Sequence, residues 1–323
     1  MAARLGSLLV WVAIFFAALA AADVDPVVIK VSLKSLLTSS TVLTAIQGSH
    51  FFYQTNGSEF FIRGVTYQPS NTSANEQADP LGSLATSDCM RDIPYLTELT
   101  TNVIRVSYID PTQDHGSCMA QLQQAGIYVL VDLPTNLTIN STNPTWNLDI
   151  YNSWSQRIDA FAKFNNVLGF FAGKDIVTNS SNSPAAAFVK AAVRDLKAYM
   201  ISSDYRNIPV GYEINFADNY ESVPSYMTCG GNASAAIDFL GISDFNLCSN
   251  NTSSSFDLVM ELYGSYPVPV FFADYGCRDA AGDPRQFEEV QYIYGNPMAN
   301  VTSGGIVYEY FPDDENYGIM PRH

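Results

Sequence analysis

The sequence contains few basic residues. Its 16 Lys and Arg residues stand against 32 Asp and Glu residues, which gives a net charge of −16 at pH 7 and an isoelectric point of about 4.3. A nucleic-acid partner is excluded, because such a chain has little with which to neutralise phosphates. The same shortage argues against a polybasic contact with a membrane surface.

Several catalytic signatures are also missing. The three His residues are scattered and form no H-E-x-x-H motif, so we expect no metal site and no cofactor. The absence of G-x-S-x-G disfavours a serine hydrolase. No G-x-G-x-x-G follows the first predicted strand, which disfavours a doubly wound nucleotide-binding sheet.

The first 22 residues have the pattern of a secretory signal peptide. Arg4 supplies the charged start, residues 8–19 are apolar, and three Ala residues precede Asp23, as the small-residue cleavage rule requires. A membrane anchor is the alternative, but the apolar stretch is short for a span. We expect residues 1–22 to be removed and residues 23–323 to form a single domain.

Two further features bear on export. We expect N-linked glycans, because nine Asn residues open Asn-x-Ser/Thr with x not proline: Asn56, Asn71, Asn136, Asn140, Asn179, Asn232, Asn250, Asn251 and Asn300. Residues 311–323 are polar and provide no apolar tail for a lipid-anchor signal.

The chain has five cysteines, and an odd number in a secreted protein implies a free thiol or a missing partner. The sequence alone leaves the pairing open. Cys89 with Cys118 and Cys248 with Cys277 are plausible pairs, since each would link segments that a barrel makes neighbours. Cys229 would then remain unpaired.

The rest of the chain alternates strand-like and helix-like segments. A hairpin is predicted at residues 50–64, where two apolar runs flank Asn56-Gly57. Eight strands are predicted at residues 60–67, 102–109, 127–133, 167–173, 208–213, 239–245, 268–275 and 304–311. Helical patterns cover residues 88–99, 116–124, 146–164 and 183–200, and residues 140–146 and 216–236 are predicted to be polar loops. This alternation predicts an α/β fold, a (β/α)8 TIM barrel of glycosidase type.

Two of the most apolar predicted strands end at a carboxylate, Asp175 and Asp274. The carboxyl ends of the strands meet at the mouth of a (β/α)8 barrel, where a pair of carboxylates performs glycoside cleavage. Burial would perturb their pKa values, and such chemistry needs one protonated and one ionised acid. Most of the other acids at strand ends are expected to cap helices or contact loops: Asp110, Asp132, Glu213 and Glu309.

Aromatic residues are dense near the same strand ends: Tyr67, Trp146, Phe171, Tyr212, Phe245, Tyr275, Tyr308 and Tyr310. Sugar faces stack on such rings, which favours a carbohydrate ligand. Plain core packing is the alternative for each ring.

Several long stretches carry a family resemblance: Ile62-Arg-Gly-Val-Thr-Tyr67-Gln68-Pro69, Ile109-Asp-Pro-Thr-Gln-Asp-His115, Ala125-Gly-Ile-Tyr-Val-Leu-Val-Asp132-Leu133, Asn166-Val-Leu-Gly-Phe-Phe-Ala-Gly173 and Ser303-Gly-Gly-Ile-Val-Tyr-Glu-Tyr310. On these residues the chain resembles the fungal cell-wall β-1,3-glucanosyltransferases, glycoside hydrolase family 72. The resemblance runs from about residue 50 to residue 318.

The resemblance implies a (β/α)8 catalytic domain that transfers β-1,3-glucan chains with retention at the outer face of the plasma membrane or in the cell wall. It implies Asp175 at the acid/base position, Asp274 at the nucleophile position, and the disulfides Cys89–Cys118 and Cys248–Cys277. It also implies a partner for Cys229 in a C-terminal region that this sequence lacks, so a lipid anchor is expected only if a longer C-terminus exists. We expect substrate contacts from Tyr67, Gln68, Asp132, Lys174, Phe245, Tyr275 and Tyr308.

The chain departs from the family pattern at this site. It has Gly173-Lys174-Asp175 where the family has Gly-Asn-Glu, and Ala273-Asp274 where the family has Ser-Glu. An ammonium beside Asp175 would lower the pKa of that carboxyl and oppose its use as a general acid. Two functions remain open: transfer of β-1,3-glucan chains, or a catalytically impaired relative that binds β-1,3-glucan or a wall partner without turnover.

Overall fold

The computed structural model describes residues 24–25, 27–33, 46–69, 78–216, 222–230, 233–245, 252–277, 285–312 and 317–320. The predicted signal peptide, residues 1–22, lies outside this described part. The helices of the described part include none that is long and apolar enough to cross a membrane.

A small antiparallel sheet precedes the barrel. It contains β1 (Val27–Leu33), β2 (Ile46–Tyr53) and β3 (Glu59–Phe60), in that order. The turn between β2 and β3 contains Gly57 at φ +70°, a left-handed conformation that glycine adopts without a steric penalty. The predicted hairpin around Asn56-Gly57 is therefore present.

Eight parallel strands close into a barrel in chain order. They are β4 (Ile62–Thr66), β5 (Val103–Val106), β6 (Tyr128–Asp132), β7 (Val167–Lys174), β8 (Val210–Asn215), β9 (Leu240–Asp244), β10 (Val270–Tyr275) and β11 (Gly304–Val307). Strand β11 pairs with β4 and completes the ring. The predicted TIM barrel is confirmed.

Among the described residues, seven helices connect consecutive barrel strands. They are α1 (Thr86–Glu98), α2 (Gly116–Gln124), α3 (Leu148–Phe161), α4 (Ala185–Ser202), α5 (Ser222–Thr228), α6 (Thr252–Tyr263) and α7 (Glu289–Ile293). Helix α3 begins later than predicted because the side chain of Asn147 caps it by accepting from the N–H groups of Asp149 and Ile150.

The prediction of a polar loop over residues 216–236 was wrong at α5. This helix buries Val223, Pro224 and Met227 although it has only seven residues. Such a short segment gives too few apolar repeats for a helical period to be recognised in the sequence.

Aromatic rings fill the amino-terminal end of the barrel. Phe171 from β7 packs edge-on against Phe239, with ring centroids 5.1 Å apart, and both rings lie near Phe271 of β10. Phe51 of β2 packs on Phe239 and Phe271 from below, at 6.2 and 6.0 Å. The hairpin thus closes the bottom of the barrel and supplies part of its apolar interior.

The disulfide between Cys89 and Cys118 joins α1 to α2, with a Cα–Cα distance of 6.0 Å. Cys277 is also disulfide-bonded, and its predicted partner, Cys248, lies outside the described residues. Cys229 is exposed and has a free thiol.

The aromatic interior predicts a strict size limit at Gly211 on β8, because a Cβ placed there would overlap the ring of Phe239. We expect Gly211→Ala to lower the free energy of unfolding by about 1–3 kcal/mol through overpacking. Urea unfolding followed by tryptophan fluorescence measures this loss. Gly116→Ala is the control, since its nearest neighbour is the Asp114 side chain at 3.3 Å; equal stabilities of the two variants would contradict the prediction.

Candidate active site at the mouth of the barrel

Five charged side chains meet at the carboxyl ends of five barrel strands. They are Arg105 of β5, Asp132 of β6, Lys174 of β7, Glu213 of β8 and Asp274 of β10. We refer to these five residues as the charge cluster. Its location is where catalytic groups are built in TIM barrels, because the strand ends and the loops after them converge there.

Arg105 lies at the centre of the charge cluster. Its guanidinium stacks on the ring of Phe171 at 4.5 Å and is nearly inaccessible to solvent. It pairs with Asp132 at 2.8 Å, with Glu213 at 2.5 Å and with Asp274 at 3.1 Å. Burial alone would lower the pKa of Arg105, but the three carboxylates hold it well above the ordinary value. Arg105 is therefore a permanent positive charge at the base of the site.

Asp274 accepts hydrogen bonds on both carboxylate oxygens. Thr66 at the end of β4 donates to Oδ1 at 2.9 Å, while Arg105 and Lys174 donate to Oδ2 at 3.1 and 2.8 Å. Burial alone would raise the pKa of Asp274, but the two cations and these hydrogen bonds hold it below its ordinary value. Asp274 is a buried, ionised and firmly oriented carboxylate.

Lys174 bridges two carboxylates. Its Nζ lies 2.8 Å from Asp274 Oδ2 and 2.9 Å from Glu213 Oε1, and its side chain remains 42% exposed. Burial would lower the pKa of Lys174, but Asp274 and Glu213 together raise it above its ordinary value. The ammonium is charged and forms the solvent side of the charge cluster.

Glu213 has the opposite character to Asp274. Its side chain is fully buried, and burial raises the pKa of this carboxyl despite the nearby Arg105 and Lys174. Both oxygens lie within 3 Å of a cation, yet neither meets hydrogen-bond geometry with any described residue. Glu213 thus gains less stabilisation of its charged form than Asp274 does.

Asp175 lies one residue beyond β7. Its backbone has a left-handed φ of +50°, and its N–H donates to the carbonyl of Glu213 at 3.1 Å. Asp175 therefore lies beside the backbone of β8, while the side chain of Lys174 reaches the charge cluster.

Three other residues predicted to contact substrate have structural roles. The hydroxyl of Tyr67 donates to Asp92 at 2.8 Å, and Tyr275 is buried in the layer between strands and helices. Tyr67 follows Thr66 and Tyr275 follows Asp274, and both preceding residues face the site. Because successive side chains of a strand point to opposite faces, the two tyrosines point away from the site. The carboxamide of Gln68 accepts from the N–H groups of residues 107 and 108 and so holds the loop after β5.

Two predicted aromatic residues lie together at the rim. Phe245 follows β9 and packs edge-on against Tyr308, which follows β11, with ring centroids 5.6 Å apart. Tyr317 contacts both rings at 5.7 and 5.6 Å. All three are partly exposed, so this rim offers ring faces and edges to a ligand.

A cavity of about 310 Å³ opens beside the charge cluster. Asp132, Phe171 and Lys174 form its inner wall, and residues 134–136 and 138 form its outer wall. A larger cavity of about 760 Å³ lies outside the barrel wall, lined by Arg63, Tyr294 and others, away from the charge cluster.

Arg105 was not predicted from the sequence, and Glu213 was grouped with the strand-end acids that mostly cap helices or contact loops. The available signal was a single Arg inside the apolar strand Val-Ile-Arg-Val, all of which is buried. A buried Arg needs carboxylate partners, and acids at neighbouring strand ends could supply them. For possible metal sites, the described residues contain no group of three or more His, Cys, Asp and Glu arranged as ligands.

Comparisons with known proteins identify the family of this chain. A family model described as glucanosyltransferase matches residues 33–322. The chain is 42% identical over 327 residues to a 1,3-beta-glucanosyltransferase of Arthroderma benhamiae, covering 98% of this chain and 58% of that protein. It is 40% identical over 288 residues to 1,3-beta-glucanosyltransferase GAS5 of Saccharomyces cerevisiae, covering 87% of this chain and 58% of that protein.

Solved structures of a yeast relative share the fold. Saccharomyces cerevisiae Gas2p in complex with laminaritriose and laminaritetraose superposes with a TM-score of 0.76 at 39% identity, covering 85% of this chain and 62% of that chain. A glutamate-to-glutamine variant of Gas2p with laminaritetraose and laminaripentaose also gives 0.76 at 39% identity, covering 84% and 60%. The chain spans 51% to 58% of the length of three curated relatives. It belongs to the glucanosyltransferase family, glycoside hydrolase family 72.

Proposed function

We propose that this protein cleaves β-1,3-glucan and transfers the released chain to a second glucan with retention at the anomeric carbon. The observation that carries the proposal is Asp274, an ionised carboxylate held at the barrel mouth by Thr66, Arg105 and Lys174. The family membership and the laminari-oligosaccharides bound by Gas2p support the choice of substrate.

Asp274 is proposed as the nucleophile. A retaining enzyme forms a covalent glycosyl intermediate on a carboxylate, which a second hydroxyl then displaces. The lowered pKa of Asp274 keeps this carboxylate ionised in neutral and mildly acidic solution. The hydrogen bond from Thr66 fixes Oδ1, while Oδ2 accepts from Arg105 and Lys174. The family resemblance assigns the acid/base position to Asp175.

Substrate contacts are proposed at the rim and the cavity. Phe245 and Tyr308 offer rings on which glucose faces can stack, and Asp132 and Lys174 line the adjacent cavity. An indirect role is proposed for Tyr67, Gln68 and Tyr275. Each packs against or hydrogen-bonds to a segment that carries the substrate-contacting residues.

The proposed location is the cell wall or the outer face of the plasma membrane, after secretion and N-glycosylation. The predicted signal peptide, the nine sequons and the Cys89–Cys118 disulfide support this location.

Binding of β-1,3-glucan without turnover is the second candidate function, and the position of Lys174 favours it. Its Nζ lies 2.8 Å from Asp274 Oδ2. An anomeric carbon would have to approach to about 3–3.5 Å of that oxygen in order to react. The ammonium therefore occupies the space that the reaction requires unless Lys174 moves.

The first test replaces Asp274. We expect Asp274→Asn to reduce transfer between reduced laminari-oligosaccharides at least about 10³-fold, because a neutral amide cannot form the covalent intermediate. Chromatography of longer and shorter products measures transfer. Asp110→Asn is the matched control, since Asp110 also follows a barrel strand but its carboxyl accepts hydrogen bonds from Thr112 and Gln113 of its own loop. Unchanged transfer by Asp274→Asn would refute the nucleophile assignment.

The second test concerns pH. Lys174 helps to lower the pKa of Asp274, and activity is lost when this carboxylate is protonated as the pH falls. Removing the ammonium in Lys174→Met raises the pKa of Asp274, so we expect the acidic limb of the kcat/KM profile to move to higher pH. Lys174→Arg keeps the positive charge, so we expect it to move the acidic limb less. An acidic limb that stays in place in Lys174→Met would contradict this coupling.

The same variant separates the two candidate functions. If the wild-type protein binds laminaripentaose but forms no product, and Lys174→Met forms longer and shorter chains, the wild-type protein is the non-catalytic binder. Calorimetric titration with laminaripentaose measures binding independently of turnover.

A further inference from the structure

Two carboxyls of the charge cluster share one ammonium. Lys174 Nζ lies 2.9 Å from an oxygen of Glu213 and 2.8 Å from an oxygen of Asp274, so these two oxygens are at most about 6 Å apart. Retaining glycosidases hold their two carboxyls about 5–5.5 Å apart, and inverting ones about 6.5–9.5 Å. This upper limit for the Glu213–Asp274 pair includes the retaining spacing and lies below the inverting range.

We propose that Glu213 is the second catalytic carboxyl of this barrel, the group that gives and takes the proton while Asp274 bonds to the sugar. This inference rests on the proposed transfer reaction and replaces Asp175 by Glu213 in the acid/base role.

The surroundings of the two carboxyls push their pKa values in opposite directions. Burial raises the pKa of Glu213, while Arg105 and Lys174 hold the pKa of Asp274 below its ordinary value. A pair of acids with divergent pKa values is the arrangement from which acid and nucleophile roles are recognised. Glu213 has the properties of the proton donor, and Asp274 has those of the nucleophile.

Every strand packed around Glu213 contributes to this balance. Arg105 and Lys174 favour its ionised form, while Asp132 and Asp274 favour its protonated form. Strand β9, the other neighbour of β8, carries the buried Asp244 three residues beyond Gly241, the register partner of Glu213. Loss of one cation would tip the balance toward protonated Glu213.

Lys174 is the cation that can leave. Arg105 is nearly fully buried between Phe171 and three carboxylates, whereas the Lys174 side chain is 42% exposed. Its flexible stem can swing the ammonium into solvent when a sugar ring enters. The sugar then meets Asp274 and Glu213 in the space that Nζ leaves, and Glu213 takes up a proton because a compensating charge has gone.

The transfer then takes place in two steps, and protons and bonds balance in each. In the first, the Glu213 proton passes to the glycosidic oxygen, the bond from that oxygen to the anomeric carbon breaks, and an oxygen of Asp274 bonds to the carbon. In the second, a hydroxyl of the acceptor glucan gives its proton to Glu213 and bonds to the anomeric carbon, and the ester to Asp274 breaks. Both carboxyls return to their starting protonation states.

Asp175 differs from Glu213 in its position just beyond the end of β7. Lys174 precedes Asp175 and already reaches the charge cluster, and the left-handed conformation at Asp175 ends the strand there. The N–H of Asp175 donates to the carbonyl of Glu213 at 3.1 Å, so Asp175 lies beside the β8 backbone, whereas the Glu213 side chain pairs with Arg105 and Lys174.

The experiment compares Glu213→Gln with Asp175→Asn on two donors. One donor is reduced laminaripentaose, whose leaving group needs a proton; the other is a dinitrophenyl β-laminaribioside, whose leaving group does not. Loss of a general acid costs about 10²–10⁴-fold where protonation matters. We expect Glu213→Gln to reduce the rate of transfer from the oligosaccharide by about that factor, and to reduce the rate of dinitrophenol release less than about tenfold. Asp175→Asn should affect both donors to the same extent.

Sodium azide adds a second signature. With Glu213→Gln and the dinitrophenyl donor, we expect azide to speed turnover and give β-laminaribiosyl azide, because the anion needs no base in order to attack the intermediate. Thermal unfolding checks that each variant is folded, and Asp110→Asn serves as the control for an unrelated strand-end acid.

A titration gives a readout that is independent of turnover. Glu carboxyl carbons labelled with carbon-13 are titrated by NMR in wild-type protein, and the Glu213 resonance is identified by its loss in Glu213→Gln. Saturating laminaripentaose is expected to raise the Glu213 midpoint. A midpoint that stays unchanged with ligand bound would show that Lys174 remains in place, which rejects the proposal.

The outcomes separate this inference from the proposed function. If the wild-type protein transfers glucan and the donor-dependent loss appears in Asp175→Asn instead, Glu213 is rejected and the proposed function stands. If the wild-type protein turns over neither donor but binds laminaripentaose, both the transfer reaction and the proton role of Glu213 are rejected.

Discussion

The site depends on one buried cation, Arg105. It lies between the aromatic interior of the barrel and three carboxyls at the mouth, stacked on Phe171 and paired with Asp132, Glu213 and Asp274. Removing it would leave those carboxyls in a dry environment without their shared partner, and breaking a buried pair in this way costs about 3–5 kcal/mol. The aromatic rings of the barrel interior support the guanidinium from below. The packing of that interior and the ionisation of the three carboxyls at the mouth are therefore linked through a single side chain.

Much of the fold could be predicted from the sequence, because the barrel strands are long apolar runs and the hairpin has an Asn-Gly turn. Helix α5 was missed because seven residues carry too little periodicity. The strand-end position of Asp274 was also predictable, since a carboxylate that ends a buried strand must lie near the mouth. The arrangement of the site around it was less predictable, because it depends on which face of each strand a residue occupies.

Tyr67 and Tyr275 illustrate this limit. Each was expected to contact substrate, yet each follows a residue whose side chain faces the site, and strand alternation turns it outward. Applied to every strand, the same alternation assigns Glu213 to the inner face and Tyr212 to the outer face. What the sequence could not supply was the register between strands, which brings Lys174 opposite Glu213 and so creates the shared ammonium.

The charge cluster explains why the position of Lys174 matters for both candidate functions. With all three carboxyls ionised, the two cations leave the charge cluster one unit negative, and Glu213 is the carboxyl whose pKa is raised, chiefly by burial. If the ammonium withdraws, one of the two positive charges is lost from the buried site, and an uncompensated buried charge costs several kcal/mol. Proton uptake by Glu213 offsets part of that cost. Withdrawal of Lys174 and protonation of Glu213 are therefore coupled, so a sugar that displaces the ammonium also prepares the proton that its own cleavage requires.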